Sequence, residues 1–283
     1  MSEKNRFRDT RRGLLRAAGL TLAGYGATTL RDEADPTPED PESATVNFET
    51  TAMSSLDHER SVGHGPSLQV RYPRGEHRGL GRVYEPGSPQ TELYTRYWIR
   101  YEEGFEPSGL DGKWGGPKQP GFKYPGEYGT DNPPDGTNGW SSKPNVTPDG
   151  GLAQYTWDMD VEEGEYGHQF EVVSDFPFGE WVKVEQRVKL NTVASDGSAN
   201  PDGVLQVWVG DELELEKRSL RFSTRPDEQG IHGWLIFYFG GEAPSPKDQI
   251  VNFDEYALTK GDDTDGELQT GAARWEGGGL SMF

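Results

Sequence analysis

Apolar and polar residues alternate with a period of two along much of the chain, the pattern of strands with one face in a core and the other in water. Across residues 181–191, Val182, Val184, Val188 and Leu190 fall on one side, and Lys183, Glu185, Arg187 and Lys189 on the other. That spacing predicts a half-buried antiparallel strand. Residues 67–72 and 92–101 alternate in the same way, and 204–209, 233–239 and 250–258 continue the series. Turn signals separate the segments, among them Asp196-Gly197 and Asp202-Gly203.

Many short strands joined by Gly- and Pro-rich turns predict an all-β chain, a concanavalin-like jelly-roll β-sandwich of antiparallel strands over residues 46–260. The ends read differently. In residues 1–31, Arg11-Arg12-Gly13-Leu14-Leu15 precedes a short apolar, glycine-interrupted run, the layout of a twin-arginine export signal. The run is too short for a comfortable transmembrane helix, so no stable membrane span is expected after processing. Residues 32–45 are rich in Pro, Asp and Glu and read as a linker, and 261–283 as a flexible Gly- and acid-rich tail.

Charge narrows the function. The chain carries −20 overall, and residues 1–31 hold seven Lys or Arg against two acids, which leaves −25 for the rest. Lysine is scarce, ten against eighteen Arg. Such an acid-rich, lysine-poor surface stays hydrated where salt screens charge repulsion and points to a salt-loving source, while the twin-arginine signal predicts an extracellular or cell-surface location. It repels phosphate, so nucleic acid is not an expected partner. There is no cysteine, hence no disulfide framework and no thiolate metal site. Against this background Lys113, Lys118, Lys123 and Lys143 gather in one Gly/Pro-rich stretch, a local basic patch suited to an anionic polymer. Tyr94, Arg96, Trp98 and Arg100 form a row on one side of the 92–101 strand. The row fits a sugar-binding face, and equally a core Trp98 flanked by arginines that pair with surface acids.

Several segments resemble polysaccharide lyase family fourteen, with its alginate and glucuronan lyases. They are Gly179-Glu180-Trp181, Val184 to Thr192, Asp202 to Val209, Phe239-Gly240-Gly241 and Asn252-Phe253-Asp254. Upstream, Val70-Arg71-Tyr72-Pro73-Arg74-Gly75 and Leu93 to Trp98 extend the resemblance over residues 67–258. It implies a jelly roll that cuts an acidic polysaccharide by β-elimination, with no metal or organic cofactor for the chemistry, although a structural Ca²⁺ on the Asp/Gly turns stays open. Lys113 in Gly112-Lys113-Trp114-Gly115 is placed to face the substrate carboxylate. Ser141-Ser142-Lys143 matches the family's Ser-x-Arg, with lysine for arginine. Charge is kept and the bidentate fork is lost. Tyr155-Thr156-Trp157 matches the family's Tyr-x-Tyr. Tyr155 is then the acid/base residue and Trp157 replaces the second tyrosine, a change from a proton carrier to a stacking surface. His168 is a candidate for the missing group.

Two rival readings remain. Trp114, Trp140, Trp157 and Tyr155 are equally stacking platforms of a non-catalytic sugar-binding protein with a lyase-like sandwich. Asp158, Asp160 and Glu162 alternate as the carboxylates of a glycoside hydrolase do.

Overall fold

A computed structural model of the chain describes residues 54–62, 66–77, 79–109, 115–241 and 243–260, and the backbone of short end strands at 45–47, 274–276 and 279–281. The expected export signal and nearly all of the expected linker lie outside the described residues. The strands in chain order are β1 (Thr45–Asn47), β2 (Ser54–Asp57), β3 (Ser67–Tyr72), β4 (Gly79–Tyr84), β5 (Glu92–Tyr101), β6 (Gly115–Pro117), β7 (Gly121–Tyr124) and β8 (Trp140–Val146). They continue with β9 (Leu152–Trp157), β10 (His168–Val173), β11 (Val182–Lys189), β12 (Gly203–Val209), β13 (Glu212–Leu220), β14 (His232–Gly241), β15 (Gln249–Lys260), β16 (Arg274–Glu276) and β17 (Gly279–Ser281). A single helical turn, Pro226–Gln229, interrupts them.

Two seven-stranded antiparallel sheets form the sandwich. The front sheet runs β10-β9-β8-β7-β14-β4, with β6 also on β14, and the back sheet runs β13-β12-β11-β5-β15-β3-β2. A separate small sheet joins β1, β17 and β16; the rest of the 261–283 tail lies outside the described residues. The jelly-roll expectation holds, and β3 and β5 have the bounds read from the alternation.

In the back sheet the period-two reading translates directly into packing. Val182, Val184 and Val188 on β11 oppose Ile99, Tyr97 and Leu93 on β5, and all six are buried in the core. Their polar neighbours face outward, where Arg187 pairs with Glu92 at 2.5 Å and Lys183 with Glu185 at 3.1 Å. The core is closed by an aromatic cluster in which Phe105 packs on Tyr101, ring centroids 4.6 Å apart, and on Phe178 at 5.7 Å. Burying such rings supplies most of the driving force for folding.

The front sheet does not follow the alternation rule. Ser142 on β8 and Gln154 and Thr156 on β9 are fully buried and point at the opposite sheet. Ser142 and Thr156 bond each other through their hydroxyls at 2.7 Å, and Gln154 reaches across the sandwich. Gln154 Nε2 donates to Ser142 Oγ at 2.9 Å and to Gln186 Oε1 of β11 at 3.2 Å. Gln186 Nε2 donates to the Pro120 carbonyl at 2.7 Å. Tyr97 OH donates to Gln119 Oε1 at 2.8 Å. Gln186 thus ties both β9 and the entry to β7 to the back sheet. Replacing it by methionine removes a donor and an acceptor and leaves Gln154 and the Pro120 carbonyl short of partners. An unsatisfied buried group costs about 1–3 kcal/mol, so Gln186→Met is expected to be destabilised by about that amount in chemical denaturation, despite the added apolar volume.

Candidate functional site

Cross-strand register sets side chains in rows on the outer face of the front sheet. In one row His232 of β14 opposes Lys123 of β7, Lys123 opposes Ser141 of β8, and Ser141 opposes Trp157 of β9. In the next, Trp234 opposes Gly121, and Lys143 opposes Tyr155, which opposes Gln169 of β10. In a third, Lys118 bridges to Asn145.

Lys143 is the centre of this face. Its side chain is only 3 % exposed, and its amine lies 4.7 Å from the centroid of the Tyr155 ring and 4.9 Å from that of Trp234. Gly121 stands beside it, and a Cβ there would come within 2.4 Å of the Ser142 carbonyl oxygen and 2.7 Å of the Lys143 Cβ. Only glycine allows β7 and β8 to lie this close with the lysine stem between them. Lys123 sits over the same Trp234 ring at 4.8 Å, and Lys118 over Tyr238 at 4.9 Å while donating to the Gly240 carbonyl at 3.1 Å. The negative ring faces attract the amines.

No ion pair among the described residues engages any of these three lysines, whereas Lys183, Arg187 and Arg218 of the back sheet each meet a carboxylate. Burial, and then repulsion from Lys118 and Lys123, hold the Lys143 amine well below the usual lysine range. Burial lowers Lys123 and brings Lys118 down to about 8. A group of amines desolvated, crowded together and lacking carboxylates is poised to accept an anion, which would restore their charge.

Trp157 lies on this face, its ring 6.1 Å from Tyr155 and 5.9 Å from Tyr128. Tyr128 shares a hydrogen bond with Ser141, and burial pushes its phenol up to about 12. The structure therefore brings together Ser141, Lys143, Tyr155 and Trp157. It adds Trp234, Tyr238, Tyr128 and His232, which the sequence reading missed; the outward, period-two placement of His232, Trp234 and Tyr238 along β14 was the available signal.

Other expected residues stand elsewhere. Lys113 and Trp114 lie outside the described residues. Arg96, Trp98 and Arg100 face outward from the back sheet, on the far side of the sandwich from Lys143, because their β5 neighbours Tyr97, Ile99 and Tyr101 fill the core. Arg100 Nε donates to the Gly179 carbonyl at 3.1 Å. Trp140 is no stacking platform: it is fully buried and packs on Phe222, centroids 4.8 Å apart. His168 opposes Thr156, so it projects on the inward side of the front sheet, opposite to Tyr155. Its Nδ1 meets the Asp158 carboxylate at 3.1 Å, and burial raises Asp158 above the usual carboxylate range although His168 and the Asp160 amide oppose this. The hydrolase triplet dissolves. β9 ends at Trp157, Asp158 is buried against His168, Asp160 pairs with Arg221, and Glu162 is exposed in the following turn.

The class that this architecture defines is the antiparallel jelly-roll β-sandwich. The fold is similar to that of the marine PL-14 alginate lyase from Aplysia kurodai, with TM-score 0.58 and 19% identity over 74% of this chain and 87% of that one. Alginate lyase Aly36B gives TM-score 0.57 and 21% identity, covering 78% and 97% of the two chains. The endo-β-1,4-glucuronan lyase of the fungus Trichoderma reesei gives 0.51 and 10%, covering 77% and 95%. No protein-family model and no curated protein sequence matches the chain.

Proposed function

We propose that the protein is an extracellular polysaccharide lyase that cleaves a polyuronide by β-elimination on the outer face of the front sheet. The observation that carries this reading is the cluster of Lys118, Lys123 and the buried Lys143, set over aromatic rings and, among the described residues, without carboxylate partners, in a chain of net charge −20. The fold shared with solved alginate and glucuronan lyases supports it, and a doubly substituted Aly36B was solved in complex with an alginate tetrasaccharide.

In the reaction the C–H bond next to the uronate carboxylate and the bond to the leaving sugar oxygen both break. A carbon–carbon double bond forms, and the proton ends on the leaving oxygen. Lys143 meets the carboxylate and stabilises the charge that spreads onto it as the proton departs. Tyr155, its cross-strand neighbour, carries the proton. Ser141 and Tyr128 orient the sugar, and Trp157 offers a flat surface to the ring. A non-catalytic sugar-binding protein is the second reading, favoured by Trp157 standing where the resembling family has a second tyrosine.

The test is incubation of the full chain in high salt with a panel of polyuronides, following the absorbance of the unsaturated product. New unsaturated ends on one polymer support the lyase. Binding without cleavage across the panel favours the sugar-binding protein.

Titration of the amines has two opposite consequences. Anion affinity requires protonated lysines, so binding of the polymer is expected to weaken as pH rises through about 8, where Lys118 loses its charge. Stability moves the other way. The unfolded chain, with lysine near 10.5, binds more protons than the folded one between about 8 and 10.5, so folding is favoured as pH rises across that window. Calorimetric affinity and denaturant midpoints over pH 7 to about 10.5 check both signs.

A further inference from the structure

We infer that Lys123 and His232 form a second anion-binding subsite beside Lys143, taking the carboxylate and a hydroxyl of a neighbouring uronate in the same polymer. The inference rests on the proposed function and deepens it. The two residues are direct cross-strand partners, so their side chains leave the sheet side by side. His232 is 8 % exposed, and among the described residues its Nδ1 has no hydrogen-bond partner. Its ring is held edge-on by Tyr124 at 5.5 Å. A buried ring nitrogen left without a partner is costly, and its presence on a binding face marks where a ligand group completes it. Burial and the adjacent Lys123 hold His232 below the usual histidine range, against the opposing charge of Glu85. A neutral imidazole can exchange a hydrogen bond with a sugar hydroxyl beside the Lys123 ammonium without adding repulsion.

Trp234 links this pair to the centre of the site. Lys123 lies 4.8 Å and Lys143 4.9 Å from its ring centroid, so one indole spaces the two amines. Lys123 is one strand and two residues removed from Lys143, a diagonal of about 8 Å from ordinary sheet spacings. That step is on the order of one to two sugar rings. Two carboxylates of one chain therefore meet two separate amines, and the site reads a run of charged sugars.

The experiment uses defined uronates from monosaccharide to tetrasaccharide, with binding measured by calorimetry in the full chain carrying Tyr155→Phe to prevent turnover. Affinity is expected to rise about tenfold on the step that fills the second subsite. Lys123→Met should abolish that step, His232→Ala should reduce it, and His232→Gln, which keeps a hydrogen-bonding group, should restore part of it. The monosaccharide, which fills only the position at Lys143, should lose less affinity in every variant than the longer ligands do. A length dependence unchanged in both Lys123→Met and His232→Ala overturns the subsite while the lyase reading stands. If no oligouronate binds at any length and the unsubstituted chain cleaves none, the reading of the whole face falls and the subsite with it.

Discussion

Lys143→Met is expected to lower the rate of elimination by about 10²- to 10³-fold, the scale on which removing one preorganised electrostatic contact to a developing charge acts. Methionine nearly conserves the volume between the Tyr155 and Trp234 rings and removes only the amine. The folded protein should be at least as stable as before, because the lysine it replaces is desolvated and crowded by two like charges. Thermal unfolding therefore separates loss of chemistry from loss of fold. Lys143→Arg is the informative partner. It retains charge but must fit a wider, planar group into the slot that Gly121 leaves open. Activity in Lys143→Met near that of the unsubstituted chain would remove Lys143 from the mechanism.

Tyr155→Phe should lower the elimination rate by about 10²- to 10⁴-fold, the usual contribution of a positioned proton carrier, with little change in affinity. The ring remains beneath the Lys143 amine and only the hydroxyl is lost. The comparison is decisive because Trp157, one position away on the same face, cannot transfer protons, and His168 projects from the opposite face beside Asp158. Unimpaired cleavage in Tyr155→Phe would place the proton carrier elsewhere. If the unsubstituted chain binds polyuronides without cleaving them, the face is a sugar-binding surface.

The back sheet was legible in the chain because one of its faces is apolar and the other wet. Val182, Val184 and Val188 announce β11 without knowledge of any partner. The same clarity misled for Arg96, Trp98 and Arg100. Alternation says that they share a face, but which sheet that face belongs to depends on the way the strands are shuffled. Trp140 failed for a related reason: a large ring reads alike as platform or core, and only its contact with Phe222 distinguishes them.

The strands that build the candidate site were the hardest to read. β8 and β9 place Ser142, Gln154 and Thr156 inward, where a strand template expects apolar residues, and their polarity is tolerated because Ser142 and Thr156 bond each other and Gln186 reaches Gln154 from the other sheet. Local pattern established an acidic, cysteine-free, all-β chain with a few lysines close together, since those properties depend on residue type and period alone. The convergence of Lys118, Lys123 and Lys143 on aromatic rings, the inclusion of His232 and Trp234, and the exclusion of His168 were decided by register between strands distant in sequence. A shift of one residue in that pairing would turn every one of these side chains to the other face.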